Sequence, residues 1–324
     1  MAETPRAKAA FVILTQNTPE RRVYLQSTLY FLFKHFNEAR RYPVRILHEG
    51  DFDEEAQKRV RMGLRGDCGQ LVTFVTLDAA DFQMPAWIDA DRLKRNLEAR
   101  PVPYWRNLRY RAMCRFWLVH IRKYVGDLDI YCRLDDDAWI EQPITGDLFK
   151  VAGDSVMTSA IVHVECPVCS YGMRHLFKSM GLVREGDDAR LFLRGNVPLQ
   201  FMAGIDEPPE YDGDGRPIAL MPIMFYNNFS LMNVAFWDSP AVRAVIDTID
   251  RTGNQFYYRW GDAPLLTLIA QTLAPARVAM ASVRYSKRMQ REAFIDHEGN
   301  AHSYMPPDYA SDSSIAVMSP PPKN

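Results

Sequence analysis

Three short apolar runs punctuate the N-terminal part of the chain, and helical spacing follows the first two. Ala9 to Thr15 (AAFVILT) is almost continuously apolar and predicts a strand buried on both faces. Gln16 and Asn17 end it. Thr18 suits a helix N-cap, Pro19 the first helical position, and Glu20 the positive end of the helix dipole. Leu25, Leu29, Leu32 and Phe36 then fall on one stripe, predicting a helix to about Phe36. Val44 to Leu47 is the second strand, Glu54 to Gly63 a charged surface helix, and Leu71 to Leu77 the third strand. Strand–helix–strand–helix–strand order predicts a parallel sheet covered by helices. After a proline-rich loop over Asp78 to Pro103, carrying one short helix near Asp91 to Ala99, Tyr104 to Tyr124 has helical spacing at Met113, Trp117 and Ile121. That helix delivers the chain into Ile130 to Leu134, a short apolar-biased run read as a buried strand.

Further on, Val156 to Val164 predicts a strand and Ser170 to Met180 a helix stopped by Gly181. Asp206 to Pro217, rich in Pro, Gly and Asp, predicts a loop on the acceptor side of a site. Pro222 to Val234 is strand-like but interrupted by polar residues. Ser239-Pro240 opens a helix to Thr252 with Gly253 as its cap, and Asp262 suits the N-cap of a helix over Ala263 to Leu273. Residues 306–324 predict a loosely ordered tail. The remainder reads as a single domain, 1–305, with halves at about 9–140 and 141–305.

Composition narrows the function classes. The chain has 324 residues, 39 Lys plus Arg against 40 Asp plus Glu, and a net charge of -1. Such a balance argues against bulk binding to nucleic acid or to an anionic membrane. No run approaches the ~20 apolar residues of a membrane span, and Met1 to Lys8 lacks an apolar signal core. The chain as given reads as soluble, leaning to the cytosol. Five cysteines, an odd count, do not make a disulfide scaffold. Cys166-Pro-Val-Cys169 is a lone CxxC, open to a local disulfide or two free thiols ahead of zinc or redox chemistry.

The candidate chemistry centres on Asp135-Asp136-Asp137, immediately after the strand that ends at Leu134. Ligands of open α/β sheets bind at the carboxyl ends of strands. Alternation along an extended chain turns Asp135 and Asp137 to one side and Asp136 to the other. Two convergent carboxylates call for a cation or a proton between them, and hard oxygen ligands suit Mg²⁺ or Mn²⁺ bridging a diphosphate. The other reading is an acidic turn in water. On the preceding helix Arg111 and Arg115 are four apart and could jointly meet an anion.

Tyr110-Arg-Ala-Met-Cys-Arg-Phe-Trp117, Asp129-Ile-Tyr-Cys-Arg-Leu-Asp-Asp-Asp137, Asn228-Phe229 and Phe256-Tyr-Tyr-Arg-Trp-Gly-Asp-Ala-Pro264 occur in this order. Together they resemble the fungal Kre2/Mnt1-type α-1,2-mannosyltransferases, glycosyltransferase family 15, over about Ala9 to Tyr285. The resemblance implies an α/β fold of the GT-A (Rossmann-like) nucleotide-sugar-binding type, with a mixed, mostly parallel central sheet flanked by helices. It also implies a GDP-mannose donor, a glycan acceptor, Mn²⁺ (or Mg²⁺), retention of anomeric configuration, and the Golgi lumen if an N-terminal anchor has been removed. It assigns metal and diphosphate to Asp137 first and Asp135 second, and a donor-pocket contact to Tyr110. Asp262 is placed near the acceptor hydroxyl, a role that stands beside the helix N-cap.

With the residue readings, the expected donor site comprises Thr15, Gln16, Asn17, Tyr110, Arg111, Arg115 and Asp135. Trp260 and Tyr258 offer flat faces to an acceptor sugar or, alternatively, pack in the core. The chain departs from the family in three places. Gln16-Asn17 stands where the family has Arg-Asn. Asn228-Phe229-Ser230 stands where it has Asn-Phe-Glu, whose glutamate is a candidate nucleophile, so Ser230 and Asn228 mark the catalytic position without a carboxylate. Tyr285 is followed by Ser286-Lys287 where the family has a metal-proximal histidine, leaving His297 or His302 for that part. The rival readings are a transferase using another nucleotide sugar, a sugar-nucleotide-binding protein with weak or lost activity, and a metal-dependent phosphohydrolase.

Overall fold

In the computed structural model the described residues are 7–98, 107–166, 169–184, 186–196, 210–211, 214–215, 217–287, 294–295 and 301–302. The strands are β1 (Ala9–Leu14), β2 (Val44–His48), β3 (Val72–Thr76), β4 (Ile130–Leu134), β5 (Ala138–Ile140), β6 (Met157–Ser159), β7 (Val162–Val164), β8 (Phe192–Asn196), β9 (Glu210–Tyr211), β10 (Pro217–Phe225), β11 (Phe229–Asn233), β12 (Val278–Met280) and β13 (Tyr285–Lys287). A central sheet runs β12-β6-β11-β4-β1-β2-β3. β1 pairs in parallel with β2 and β4, β2 with β3, and β6 with β12, while β11 is antiparallel to both β4 and β6. The sheet is therefore mixed and mostly parallel.

Alternation along β1 explains why so apolar a strand is needed. Ala10 and Val12 face a core that includes Phe116, Trp117, Tyr131 and the helix Asp262–Leu273. Phe11 and Ile13 face the opposite core with Leu25, Leu29, Val44, Cys132 and Phe149. Both faces are covered, as parallel sheets require. Phe11 meets Phe36 and Phe149 edge-on, at centroid distances of 5.8 and 5.3 Å.

The helix after β1 is Pro19–Leu32, and the Thr18 hydroxyl caps it by accepting from the Arg21 N–H at 3.2 Å. It continues through a wider turn at Phe33–Asn37 and ends at Arg41, whose φ is 61°. The predicted long helix into β4 starts, within the described residues, at Leu108 and passes through a similar widening at Phe116–His120. Two predicted strands are each split. Val156 to Val164 divides into β6 in the central sheet and β7 in a second, antiparallel sheet of order β7-β10-β8. Pro222 to Val234 divides at Tyr226-Asn227-Asn228, so that β10 serves the second sheet and β11 the first. Residues 306–324 lie outside the described residues.

Candidate active site

Asp135, Asp136 and Asp137 form the turn between β4 and β5, at the carboxyl end of the central sheet. The Asp135 N–H donates to Asn228 O at 3.0 Å, and Ala138 N–H returns to Asp135 O at 3.1 Å. This turn separates the three carboxylates. Asp136 points back to β1, accepting from the Thr15 hydroxyl at 2.7 Å and from Arg21 Nη1 at 2.7 Å. Arg21 reaches it because the capped helix begins directly above the end of β1. Asp135 and Asp137 turn the other way and meet the ammonium of Lys287, which donates to Asp135 Oδ2 at 2.9 Å and to Asp137 Oδ1. Lys287 arrives on β13, whose antiparallel pairing with β5 sets it opposite Ala138.

Arg133 carries this cluster inward. Its Nε donates to Asp135 Oδ1 at 3.3 Å and its Nη1 to Asp262 Oδ2, while the guanidinium lies over the Trp117 ring at 4.1 Å. Asn227 Nδ2 also donates to Asp262 Oδ2, at 2.6 Å. Burial would raise the Asp135 carboxyl, but Lys287 and Arg133 outweigh it and hold it at about 2. At Asp136 burial wins over Arg21, and its carboxyl is pushed up to about 6. The Arg133 guanidinium stays charged, because Asp262 and Asp135 more than offset its burial.

The other expected residues divide into those beside this cluster and those drawn elsewhere. Asn17 closes the loop above β1 and β2: its N–H donates to Asp51 Oδ2 at 2.5 Å and its Nδ2 to Asp51 O at 2.6 Å. Gln16 is exposed beside it. The half-buried Tyr110 ring lies 5.2 Å from the Arg259 guanidinium. Arg259 itself has a φ of 59°, in the left-handed region that a non-glycine residue seldom adopts. Asn228 Oδ1 accepts from the Tyr285 hydroxyl. Ser230 is buried on β11, its hydroxyl donating to Asn227 O at 3.4 Å.

Arg115 is not brought to the acidic turn. It makes a two-point pair with Asp250, at 2.7 and 2.8 Å. Arg111 is buried and donates to Phe256 O. Tyr258 and Trp260 are buried, and the Trp260 indole donates to Tyr171 O at 2.7 Å, so core packing takes both aromatic faces. Asp262 is the first residue of its helix; Gly261 holds the cap position, and the Asp262 carboxylate serves Arg133 and Asn227 instead. His297 lies outside the described residues, and His302 is on a short strand whose side chains are not described. Cys166 and Cys169 are not joined in a disulfide, and Cys169 Sγ accepts from Arg259.

Arg21, Arg133, Lys287, Asn227 and Glu165 also belong to the cluster or its border, and no local motif marks them. Glu165 lies against the Trp260-Gly261-Asp262 segment: a Cβ on Gly261 would come within 3.1 Å of its Oε2. Burial outweighs the Cys166 N–H and, after it, Arg259, and leaves the Glu165 carboxyl above its usual range. The sequence carries one signal for Lys287, which stands two residues after Tyr285, where the family has a metal-proximal histidine.

A divalent ion takes about six oxygen ligands when it is Mg²⁺-like. Among the described residues no group of three or more His, Cys, Asp or Glu side chains is placed to hold one. The two carboxylates expected to do so already share an ammonium. As they stand, these side chains do not fit a resident divalent ion.

A family model described as glycolipid 2-alpha-mannosyltransferase matches residues 1–162 and 213–289, which include the acidic turn, Asp262 and Lys287. The chain belongs to that family. Among its members, glycolipid 2-alpha-mannosyltransferase 1 of Candida albicans is 25% identical over 279 residues, taking in 83% of this chain and 59% of its own length. Alpha-1,2 mannosyltransferase KTR1 of Saccharomyces cerevisiae is 25% identical over 267 residues, with 81% and 63% covered. The chain thus spans about 60% of the length of these family members. Core-mannan synthase A (CmsA/Ktr4) from Aspergillus fumigatus, solved in a Mn/GDP form, superposes with a TM-score of 0.70 at 19% identity, covering 89% of this chain and 76% of its own. The mannosyltransferase Ktr4p from S. cerevisiae in complex with GDP gives 0.70 at 17%, covering 87% and 71%. The expected GT-A fold and family resemblance are borne out. No helix among the described residues is long and apolar enough to cross a membrane.

Proposed function

We propose that this member of the family is a retaining glycosyltransferase that moves mannose from GDP-mannose to a hydroxyl of a mannoside or other glycan acceptor. The observation that carries the reading is the Asp135–Arg133–Asp262 chain: one guanidinium ties the acidic turn, where a diphosphate would lie, to the aspartate of the Trp-Gly-Asp motif. Donor and acceptor groups on such a chain keep a set separation, and fixed separation is what converts binding into reaction rate.

In the proposed reaction the bond from the anomeric carbon to the diphosphate oxygen breaks, and its electron pair leaves on GDP. A bond from the acceptor oxygen to that carbon forms. The hydroxyl proton passes to the departing diphosphate oxygen, while Asp262 orients the acceptor by accepting from a neighbouring hydroxyl of the same sugar. An aspartate already serving Arg133 and Asn227 is better suited to orienting than to removing a proton. Ser230 offers no carboxylate for a covalent glycosyl intermediate, so departure and attack on one face of the sugar suit this site. Thr15, Gln16 and Asn17 sit where the nucleoside would enter, between the ends of β1 and β2. Asp135 and Asp137, the residues expected for Mn²⁺, carry the Lys287 ammonium instead.

Incubating the full chain with GDP-mannose and methyl α-mannoside, with UDP-sugars in parallel, tests this. A disaccharide with an α linkage by NMR, together with released GDP, is the expected result. Absence of product with every donor would overturn the reading. A second reading, a sugar-nucleotide-binding protein without transfer, is favoured by Ser230 alone; GDP binding with no product from any acceptor would select it.

A further inference from the structure

We propose that in this chain the Lys287 ammonium holds the donor diphosphate in place of a divalent cation, so that nucleoside diphosphate binds without metal. The inference rests on the nucleotide-sugar reading above and concerns the same site. Its ground is the set of partners at the two carboxylates. Asp135 Oδ2 lies 2.9 Å from Lys287 Nζ and Asp135 Oδ1 lies 3.3 Å from Arg133 Nε. Asp137 Oδ1 is also on Lys287, and Asp137 Oδ2 is 3.9 Å from Arg21 Nη1. All four oxygens that a metal would draw on therefore have a protein cation within 4 Å. A metal entering between them must displace an ammonium that is largely buried, at the cost of leaving that charge without its two carboxylates.

The lysine is not a wandering surface side chain. The register of β13 on β5, with Lys287 opposite Ala138 and Tyr285 opposite Ile140, delivers it beside the turn. The buried Tyr285, bonded to Asn228, anchors the strand two residues away. The Lys287 side chain is 24% exposed, so it is not sealed in the core. Charge supports the same role. Asp135, Asp136 and Asp137 each have Lys287, Arg21 or Arg133 within 4 Å, with Arg133 shared with Asp262, so a diphosphate arriving at the turn meets fixed positive donors as well as carboxylates. A lysine in this position binds phosphate as a point charge.

Calorimetric titration of GDP and UDP into the full chain, once in EDTA and once in saturating Mn²⁺, tests the proposal, with Mn²⁺ alone titrated separately. The expected result is a nucleotide affinity that agrees within about threefold between the two buffers, with no uptake of Mn²⁺ by the unliganded protein. In EDTA, Lys287→Ala should lose about tenfold or more, and Lys287→Arg, which keeps the charge, should retain metal-free binding. The wild-type comparison and Lys287→Arg decide the matter even if Lys287→Ala melts early. Wild-type binding that collapses in EDTA and returns with Mn²⁺ overturns Lys287's role and leaves the nucleotide-sugar reading standing, as does unchanged affinity in a folded Lys287→Ala. Failure of both nucleotides to bind in either buffer removes the inference and the reading together.

Discussion

Arg133 and Asp262 form a buried ion pair that joins β4 to the first turn of the helix Asp262–Leu273. Both side chains are almost wholly out of solvent, and the same guanidinium stacks on Trp117 and reaches Asp135. A pair of this kind contributes little when intact, but it is costly to break from one side, because the remaining charge is stranded. Arg133→Met should therefore destabilise the fold by about 3–5 kcal/mol. Arg133→Lys should fold better yet transfer poorly, since one ammonium cannot span Asp135 and Asp262 as a planar fork does. Denaturant melts and a transfer assay on the two variants separate these effects. Equal stability of Arg133→Met and the parent would show that Asp262 is not held as described.

Two carboxylates, Asp262 and Glu165, lie near the Trp-Gly-Asp segment, and they make different predictions. Asp262→Asn keeps an oxygen for Arg133 but loses the charge that orients an acceptor hydroxyl. It should lower kcat by about 10²-fold or more while KM for the nucleotide sugar changes little. Glu165→Gln should cost less than about tenfold, because Glu165 accepts from the Cys166 N–H at 2.7 Å and supports Arg259 rather than Asp262. The reverse order of the two losses would move the acceptor-side role to Glu165.

Gly253 is required by both conformation and space. Its φ is 67°, and a Cβ there would stand 2.6 Å from Ile88 Cδ1 and 2.8 Å from Tyr257 Cε2. The residue ends the helix Pro240–Thr252 and passes the chain to Asn254–Tyr257 against the loop that carries Ile88. Gly253→Ala should lower stability by about 1–3 kcal/mol, from left-handed backbone strain together with overpacking. Thermal melts give the difference directly. Little loss would mean that Ile88 and Tyr257 yield more readily than their packing suggests.

Local grammar made a good part of this molecule legible. Thr18-Pro19 opens its helix as predicted, Gly253 closes one in the left-handed conformation, and the apolar run Ala9 to Thr15 is the strand that both cores share. The acidic triplet lies at a strand end, as its flanks predict, and its carboxylates do divide two to one side and one to the other, though a turn rather than an extended strand divides them. What could not be read is pairing across distance. Arg115 looked ready for an anion because its partner, Asp250, lies on another helix far along the chain. Trp260 looked like a sugar platform because nothing local announces Tyr171 as the acceptor for its indole. Lys287 is a case of the same kind, because the register of β13 on β5 is what brings it to the turn. Val156 to Val164 has the pattern of one strand, since period-two patterning does not distinguish a strand from two that change sheets at Ala160 and Ile161.

The network around Arg115 carries a pH dependence that can be read separately from activity. His120 lies with Nε2 at 2.8 Å from Arg115 Nη1 and Nδ1 at 3.3 Å from Asp81 Oδ1, with Lys123 on Asp81 and Asp250 on Arg115. Burial first, then Arg115, lower its proton affinity below that of an ordinary histidine, and Asp81 only partly restores it. The folded state therefore takes up this proton later than the unfolded state as pH falls. Below the ordinary histidine range, about pH 6.5, the unfolded chain is the more protonated, so the stability tied to neutral His120 is present above that pH and is lost as pH drops further. His120→Gln keeps hydrogen-bonding capacity without a titrating proton. Between about pH 8 and pH 5 its melting temperature should fall less than that of the parent, with the two curves diverging only below the histidine range. Parallel curves across the whole range would mean that His120 titrates in the fold much as it does in the unfolded chain, with Asp81 rather than burial setting its protonation.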